Sequence, residues 1–180
     1  RTPTIMLLFM RTKVSVHLRT PMVPIFPAFY FGSVEHYALL GRCTHALIDI
    51  GEHFERQSYR TRTTIFGPNG PQHLNVQIAR DHGRKMPMHT VGLSYAESWP
   101  QQHLHAIRSA YGQTPWFIHY IDDIEAVLTT RHDRLVDLNL ATLNLGMKWL
   151  GLAPTLEISD GYVVLQDGRW QATDGDTRQL

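Results

Sequence analysis

The chain has 180 residues, of which 43% are hydrophobic and 18% charged, and its formal net charge is +1. That length suits one domain with a sizeable core, and a near-neutral chain without a Lys/Arg run lacks the electrostatic footprint of a nucleic-acid binder. A single cysteine, Cys43, excludes a disulfide framework and a thiolate metal site and points to a reducing, cytoplasmic setting.

The first residues, 1 to 21, read as a loosely attached extension, with Met22 as the expected true start. Their apolar run "IMLLFM", 5 to 10, is too short to span a bilayer and lacks the cleavage site of a secretion signal. No later segment reaches transmembrane length. From Met22, "MVPIFPAFYF" is held extended by Pro24 and Pro27 and predicts an edge strand. Gly32 and Ser33 open a helix over 34 to 43, with Val34, Tyr37, Ala38 and Leu40 expected on its inner side. "HALIDI", 45 to 50, is a buried strand. Together they predict a βαβ-like unit with a parallel pair.

"YRTRTTIF", 59 to 66, and "PQHLNVQI", 71 to 78, predict a hairpin around "GPNG", with Gly70 free to take positive φ. In the second arm Leu74, Val76 and Ile78 share one face, and His73, Asn75 and Gln77 the other. Residues 79 to 89 read as a loop and "TVGLSY", 90 to 95, as a strand. Ser98 is the expected cap of a helix that carries Pro100 in its first turn and Gln101 in the capping-box position, and that stops at Gly112. A second helix is expected over 115 to 129. A third, over 133 to 150, is apolar nearly all round, so it predicts burial on several sides. "TLEIS" and "YVVLQ" are terminal strands, and 167 to 180 a polar tail. The order gives a single α/β domain over 22 to 166: a βαβ-like unit and a hairpin, then a helical half.

Several groups carry possible chemistry. On an extended 57–62 segment, Ser58, Arg60 and Arg62 would share a face. Two guanidiniums about 7 Å apart could then hold one phosphate or carboxylate. The competing reading is a solvated strand face. Trp99, His103, Ile107 and Tyr111 lie four apart on one helix stripe, which sets His103 among apolar neighbours. There it is either a base working near pH 7 or a core histidine bonded to a backbone carbonyl. Asp49 and Glu52 follow a strand end, a position that suits a catalytic acid or an ordinary turn. Asp122 and Asp123 read as solvent-facing in mid-helix, and Cys43 as a small buried residue at a helix end. The aromatics Phe29, Tyr30, Phe31, Trp99, Tyr111, Trp116 and Phe117 either stack on a sugar ring or fill a core. The eleven histidines show no metal-ligand spacing, so no metal and no cofactor is expected.

The stretches "AFYFGSVEHYALL", "ALIDIGEHFERQSYRTRTTIFGPNG", "SWPQQHLHAIRSAYGQTPWFIHYIDD" and "LVDLNLATLNLGMKWLGL" together resemble the WbqC-like family. Gln57 to Arg62 resembles the family's "QSYRNR", with Thr61 in place of the asparagine. The resemblance implies a protein of bacterial surface-polysaccharide gene clusters, for which transfer of glycine or another small acyl group to an amino sugar has been suggested. On that implication His103 and Glu52 are the catalytic candidates. Gln57, Arg60, Arg62, Tyr30, Trp99 and Tyr111 are the candidates for substrate binding. The partners would be a nucleotide-linked or lipid-linked sugar and a small acyl donor. A non-catalytic sugar- or anion-binding scaffold is the alternative.

Overall fold

The structure, a computed structural model, describes residues 23–79, 86–159, 161–166 and 169–173, with side chains described as far as residue 164. The extension expected at 1 to 21 lies outside the described residues. Strand β1 (Ile25–Pro27), helix α1 (Val34–Leu40) and strand β2 (His45–Asp49) form the expected parallel βαβ unit, with Ile25 opposite Leu47 and Pro27 opposite Asp49. A third parallel strand, β5 (Thr155–Ile158), joins the far side of β2, giving the order β1-β2-β5. All three strands therefore end at one edge of the sheet.

Ser33 caps α1 by accepting a hydrogen bond from the amide of His36 at 3.4 Å. The helix stops at Gly41, not at residue 43. His36, Tyr37 and Leu40 form its buried face, while Val34 and Ala38 are exposed, against expectation. Their stripe is turned away from the sheet and borders a cleft described below.

Strands β3 (Arg62–Gly67) and β4 (Gly70–Asn75) make the hairpin, with Gly67 paired to Gly70 and Gly70 at φ 106°. Leu74 and Val76 are buried, as the alternation requires. The first arm does not begin at residue 59. Gln57 takes the left-handed φ of 57°, and Ser58 O accepts from the amides of Thr61 and Arg62 at 3.1 Å each. Residues 56 to 61 are thus a tight turn, and the common strand face expected for Ser58, Arg60 and Arg62 does not form.

"TVGLSY" is likewise not a strand. A 3-10 turn at Met88–Thr90 leads into chain that makes only isolated bridges and divides its hydrogen bonds: Leu135 N donates to Val91 O at 2.9 Å and Leu93 N to Asp133 O at 3.0 Å, while Ser94 N donates to Gln77 O at 2.9 Å and Gly92 O accepts from Ala79 N at 2.8 Å. Helix α2 (Trp99–Tyr111) follows, ending at Gly112 as expected. Ser98 is its N-cap residue, but its side chain makes no capping bond; its carbonyl accepts from Gln102 N instead.

The helix expected over 115 to 129 is broken. Phe117–His119 form a 3-10 turn, Tyr120 leaves helical geometry at φ −114°, and α3 runs from Ile121 to Thr129. Asp122 and Asp123 therefore lie in its first turn, where carboxylates suit the helix dipole. Asp123 accepts from Lys148 Nζ at 2.8 Å and Trp149 Nε1 at 3.0 Å, and these bonds hold its pKa below the ordinary value.

Helix α4 (Leu135–Leu150) closes on Gly151 in the left-handed conformation at φ 63°, where glycine is unstrained. It is buried on several sides because it belongs to two cores. Leu135, Leu138 and Leu145 pack with α2, α3 and the hairpin, and Leu143 packs with α1 and the parallel sheet. Strand β6 (Tyr162–Gln166) pairs antiparallel with β7 (Arg169–Thr173), so part of the expected tail is a strand.

Candidate functional site

Tyr30 follows β1 and is fully buried; its hydroxyl lies 2.8 Å from His103 Nδ1 on α2. Burial raises the phenol pKa well above its ordinary value, so the hydroxyl keeps its proton. A ring N–H of the neutral imidazole serves the Asn75 backbone, which leaves Nδ1 to accept from that hydroxyl. His103 is 4% exposed. Burial lowers its pKa from the ordinary 6.5 to about 4, and a backbone hydrogen bond at Asn75 pulls weakly the other way. Trp99 packs on its ring at 5.2 Å between centroids and gives its indole N–H to Ser94 O at 2.9 Å. Tyr30, Trp99 and His103 are thus a satisfied polar and aromatic knot in the core.

The arginines have other partners. Arg60 meets Glu52 in a two-pronged ion pair, Nε to Oε1 at 2.7 Å and Nη2 to Oε2 at 2.5 Å, with both side chains mostly buried. Its guanidinium also reaches Glu55 at 3.8 Å and lies 6.0 Å from the centroid of the Phe29 ring. The tight turn produces this pairing, because it folds Arg60 back toward the residues that follow β2. Arg62 donates to the carbonyl of exposed Gln57 at 3.1 Å. Asp49 is buried at the end of β2, where its carboxylate accepts from Gly51 N at 2.9 Å and Ser159 Oγ at 3.3 Å. It ties the ends of β2 and β5 together. The guanidiniums and the imidazole share no partner, and none of them lines either cavity described next.

The larger cavity is an open cleft of about 900 Å³ between α1, α4 and the α2–α3 corner. Phe31, Tyr111, Trp116, Phe117, Tyr120 and Trp149 supply its aromatic surface. Trp116 is 69% exposed and Tyr120 39%. The break at Tyr120 is what presents them: a continuous helix over 115 to 129 would carry these rings around its axis, whereas the 3-10 turn holds Trp116 and Phe117 at the opening. Val34 and Ala38 form part of the opposite wall, and this is why the outer stripe of α1 is apolar. A second cavity, of about 520 Å³, is lined by polar groups including Gln72, Gln101, Gln102 and His105.

The aromatic set singled out in the sequence is therefore divided by the fold. Tyr30 and Trp99 are core, while Phe31, Tyr111, Trp116 and Phe117 face the cleft. The sequence reading missed Tyr120, Trp149 and the α1 wall. The signal available for the wall was Val34 and Ala38, apolar residues four apart whose place on the sheet-facing side is taken by His36. No group of three or more His, Cys, Asp or Glu side chains able to hold a metal ion occurs among the described residues, and no helix among them is long and apolar enough to cross a membrane.

These features define an α/β protein with a small parallel sheet, a helical half and an aromatic-walled cleft between them. The chain belongs to the WbqC-like protein family, whose family model matches residues 30–174. No curated protein and no solved structure matches it.

Proposed function

We propose that this protein serves bacterial surface-polysaccharide assembly by binding an intermediate of that process, and that the aromatic cleft is its ligand seat. The carrying observation is the cleft itself: about 900 Å³, open to solvent, and walled by residues from all four helices and the turn before α3. Ligand sites for small molecules are concave, mostly apolar and of this size. Membership of the WbqC-like family supports the setting. A binding role fits the rest of the molecule, because the imidazole expected to act as a base is buried in the core, held neutral by that burial and hydrogen-bonded to Tyr30.

The test is a thermal-shift screen against nucleotide-linked sugars, lipid-linked sugars and small acyl donors, repeated on Trp116→Ala. Trp116 is exposed, so its removal leaves the fold intact. A ligand at 100 times its Kd stabilises by about 2.7 kcal/mol, which is several degrees. A hit lost in Trp116→Ala supports the cleft. Hits indifferent to Trp116, or none at all, reject it.

One observation favours a transferase as the second reading. Glu52 and Arg60 form a mostly buried ion pair just beyond the ends of parallel strands, where α/β proteins often bind substrates. An acyl carboxylate or a sugar phosphate displacing Glu52 from Arg60 would free that carboxylate as a base. Transfer of a labelled glycyl or acyl group that Glu52→Gln abolishes, with ligand binding retained, would establish this reading over the first.

A further inference from the structure

We propose that the cleft takes a hydrocarbon chain, alkyl or prenyl, whose anionic head group sits at Arg42. The inference rests on the reading that the cleft is the ligand seat, and deepens it by naming the class of ligand.

The chemistry of the walls favours a hydrocarbon over a free saccharide as the main occupant. A sugar presents a hydroxyl on nearly every carbon, and each one buried without a partner is costly. Three of the polar groups around the cleft are already engaged. Tyr37 Oη donates to Thr142 O at 3.2 Å, Thr114 Oγ1 to Tyr111 O at 2.7 Å, and Trp149 Nε1 to Asp123 at 3.0 Å. Most of what remains is ring faces, aliphatic side chains and glycine backbone, with the Trp116 indole N–H and the Tyr111 and Tyr120 hydroxyls as the few free neutral donors among the described residues, a surface that matches a ligand with little need of hydrogen bonds.

The floor is shaped for close approach. Gly146 lies so near Tyr37 that a Cβ there would meet the phenol oxygen at 2.2 Å, and a Cβ on Gly41 would touch Leu152 at 3.0 Å. These glycines let the α1 end and α4 pack closely beside the cleft. The rim is apolar as well: Val34 is 82% exposed and Leu150 58%. Side chains of this size clustered around one opening mark an interaction site.

The lining includes one charged side chain. Arg42 follows α1 at the margin of the lining and is exposed, and it makes no ion pair among the described residues. A guanidinium is suited to a phosphate or carboxylate, through paired N–H donors. One cation in a mostly apolar and aromatic lining is complementary to an amphiphile with a single anionic head.

The experiment is calorimetric titration of the full chain with hexyl, octyl and decyl phosphate below their micelle-forming concentrations. Inorganic phosphate and a uridine-diphosphate sugar are the controls. Arg42→Ala removes the cation, and Ala38→Trp fills the trough from an exposed position on α1. The expected result is an affinity that rises roughly two- to fourfold per methylene. Arg42→Ala should weaken binding about tenfold, Ala38→Trp should abolish it, and inorganic phosphate alone should give no heat.

Other outcomes overturn the proposal in distinguishable ways. Binding that ignores chain length or Arg42, yet is blocked by Ala38→Trp, leaves the cleft as a ligand seat and rejects the amphiphile. Binding of the uridine-diphosphate sugar alone, blocked by Ala38→Trp, makes the same distinction. A dimer that Trp116→Asp dissociates makes the cleft a seam between copies and rejects both readings. So does a titration in which no probe binds.

Discussion

The Tyr30 hydroxyl donates to Nδ1 of His103 across 73 residues of sequence, and both side chains are buried. This bond joins the loop after β1 to the middle of α2, and so links the parallel sheet to the helical half. Removing either partner strands the other. Tyr30→Phe and His103→Leu should each destabilise by about 2 kcal/mol, because a buried polar group is left without its bond. The double variant should lose less than the sum of the two, with a coupling of about 1 kcal/mol. Urea denaturation of the four proteins measures it. A strictly additive double variant would mean that the hydroxyl and the ring do not interact.

The same pair sets a pH dependence. The His103 pKa in the fold is about 4, below the ordinary 6.5, so between these values the unfolded chain binds the extra proton. Stability from the neutral ring is complete above pH 6.5 and is lost as pH falls through 4. The shift corresponds to about 3 kcal/mol at most. Burial also lowers the pKa of His36, which therefore titrates in the same direction. The measurement is the difference in stability between the wild type and Tyr30→Phe/His103→Leu from pH 7.5 to 4. That difference should narrow toward acid, as the wild type loses its advantage.

Legibility followed the range of the interactions. The βαβ unit, the hairpin turn and the helix ends at Gly112 and Gly151 rest on local rules such as an N-cap serine or a glycine at positive φ, and each stands where the residues put it. Three features were decided by distant partners. β5 joins β2 across more than a hundred residues, and no pattern in four residues announces that. The turn at 56 to 61 needs Gln57 in the left-handed region, which no glycine signals. The strand expected at 90 to 95 divides its hydrogen bonds between the end of the hairpin and the start of α4, so it makes only isolated bridges. As for the site, the four-residue spacing put Trp99, His103 and Tyr111 on one side of α2. Only the packing shows that the first two are sealed while Tyr111 reaches the cleft.

The ion pair of Glu52 and Arg60 gives a third prediction. Both side chains are mostly removed from water, and the contact is two-pronged. Arg60→Ala leaves a shielded carboxylate without its cation and should cost about 2 kcal/mol, less than the 3–5 kcal/mol typical of fully buried pairs. Glu52→Gln keeps an acceptor for one arginine N–H and should cost about half as much. For a chain of this length, 2 kcal/mol is a fall in Tm of roughly 4–8 °C. If Arg60→Ala melts with the wild type, the pair is a solvated contact and the transferase reading loses its anchor.

Two glycines are held by space rather than by φ. A Cβ on Gly51 would lie 2.0 Å from Gly161 C and from Tyr162 N, both backbone atoms that cannot rotate away. Gly51→Ala must therefore push the start of β6 off the end of β2. Gly146→Ala meets the Tyr37 ring, a side chain whose pKa burial raises to about 12 and whose hydroxyl donates to Thr142 O. Helix propensity alone favours alanine there by about 1 kcal/mol. Overpacking costs about 1–3 kcal/mol, so a net loss is expected. The order wild type, Gly146→Ala, Gly51→Ala should appear in soluble yield and in Tm. Gly51→Ala folding like the wild type would contradict the close approach of the two chain segments.

Asn139 carries the largest single prediction. It is fully buried in the middle of α4, where a sequence reading would place a hydrophobic residue. Its amide nitrogen donates to Ala28 O and Arg60 O, both at 2.9 Å. The first carbonyl belongs to the chain just after β1 and the second to the turn before β3, so one side chain holds two loops against the central helix. Asn139→Leu keeps the branched shape, adds bulk and leaves both carbonyls unmet, which should cost about 2–4 kcal/mol. Asn139→Asp should be worse, since its carboxylate would face two carbonyl oxygens and would have to be protonated to donate even one bond. Its stability should therefore recover relative to Asn139→Leu as pH falls toward 4, opposite in sign to the effect of His103. Paired denaturation curves at pH 7.5 and 4.5 separate the cases: parallel responses of the Leu and Asp variants would show that the amide bonds at this position do not hold the loops.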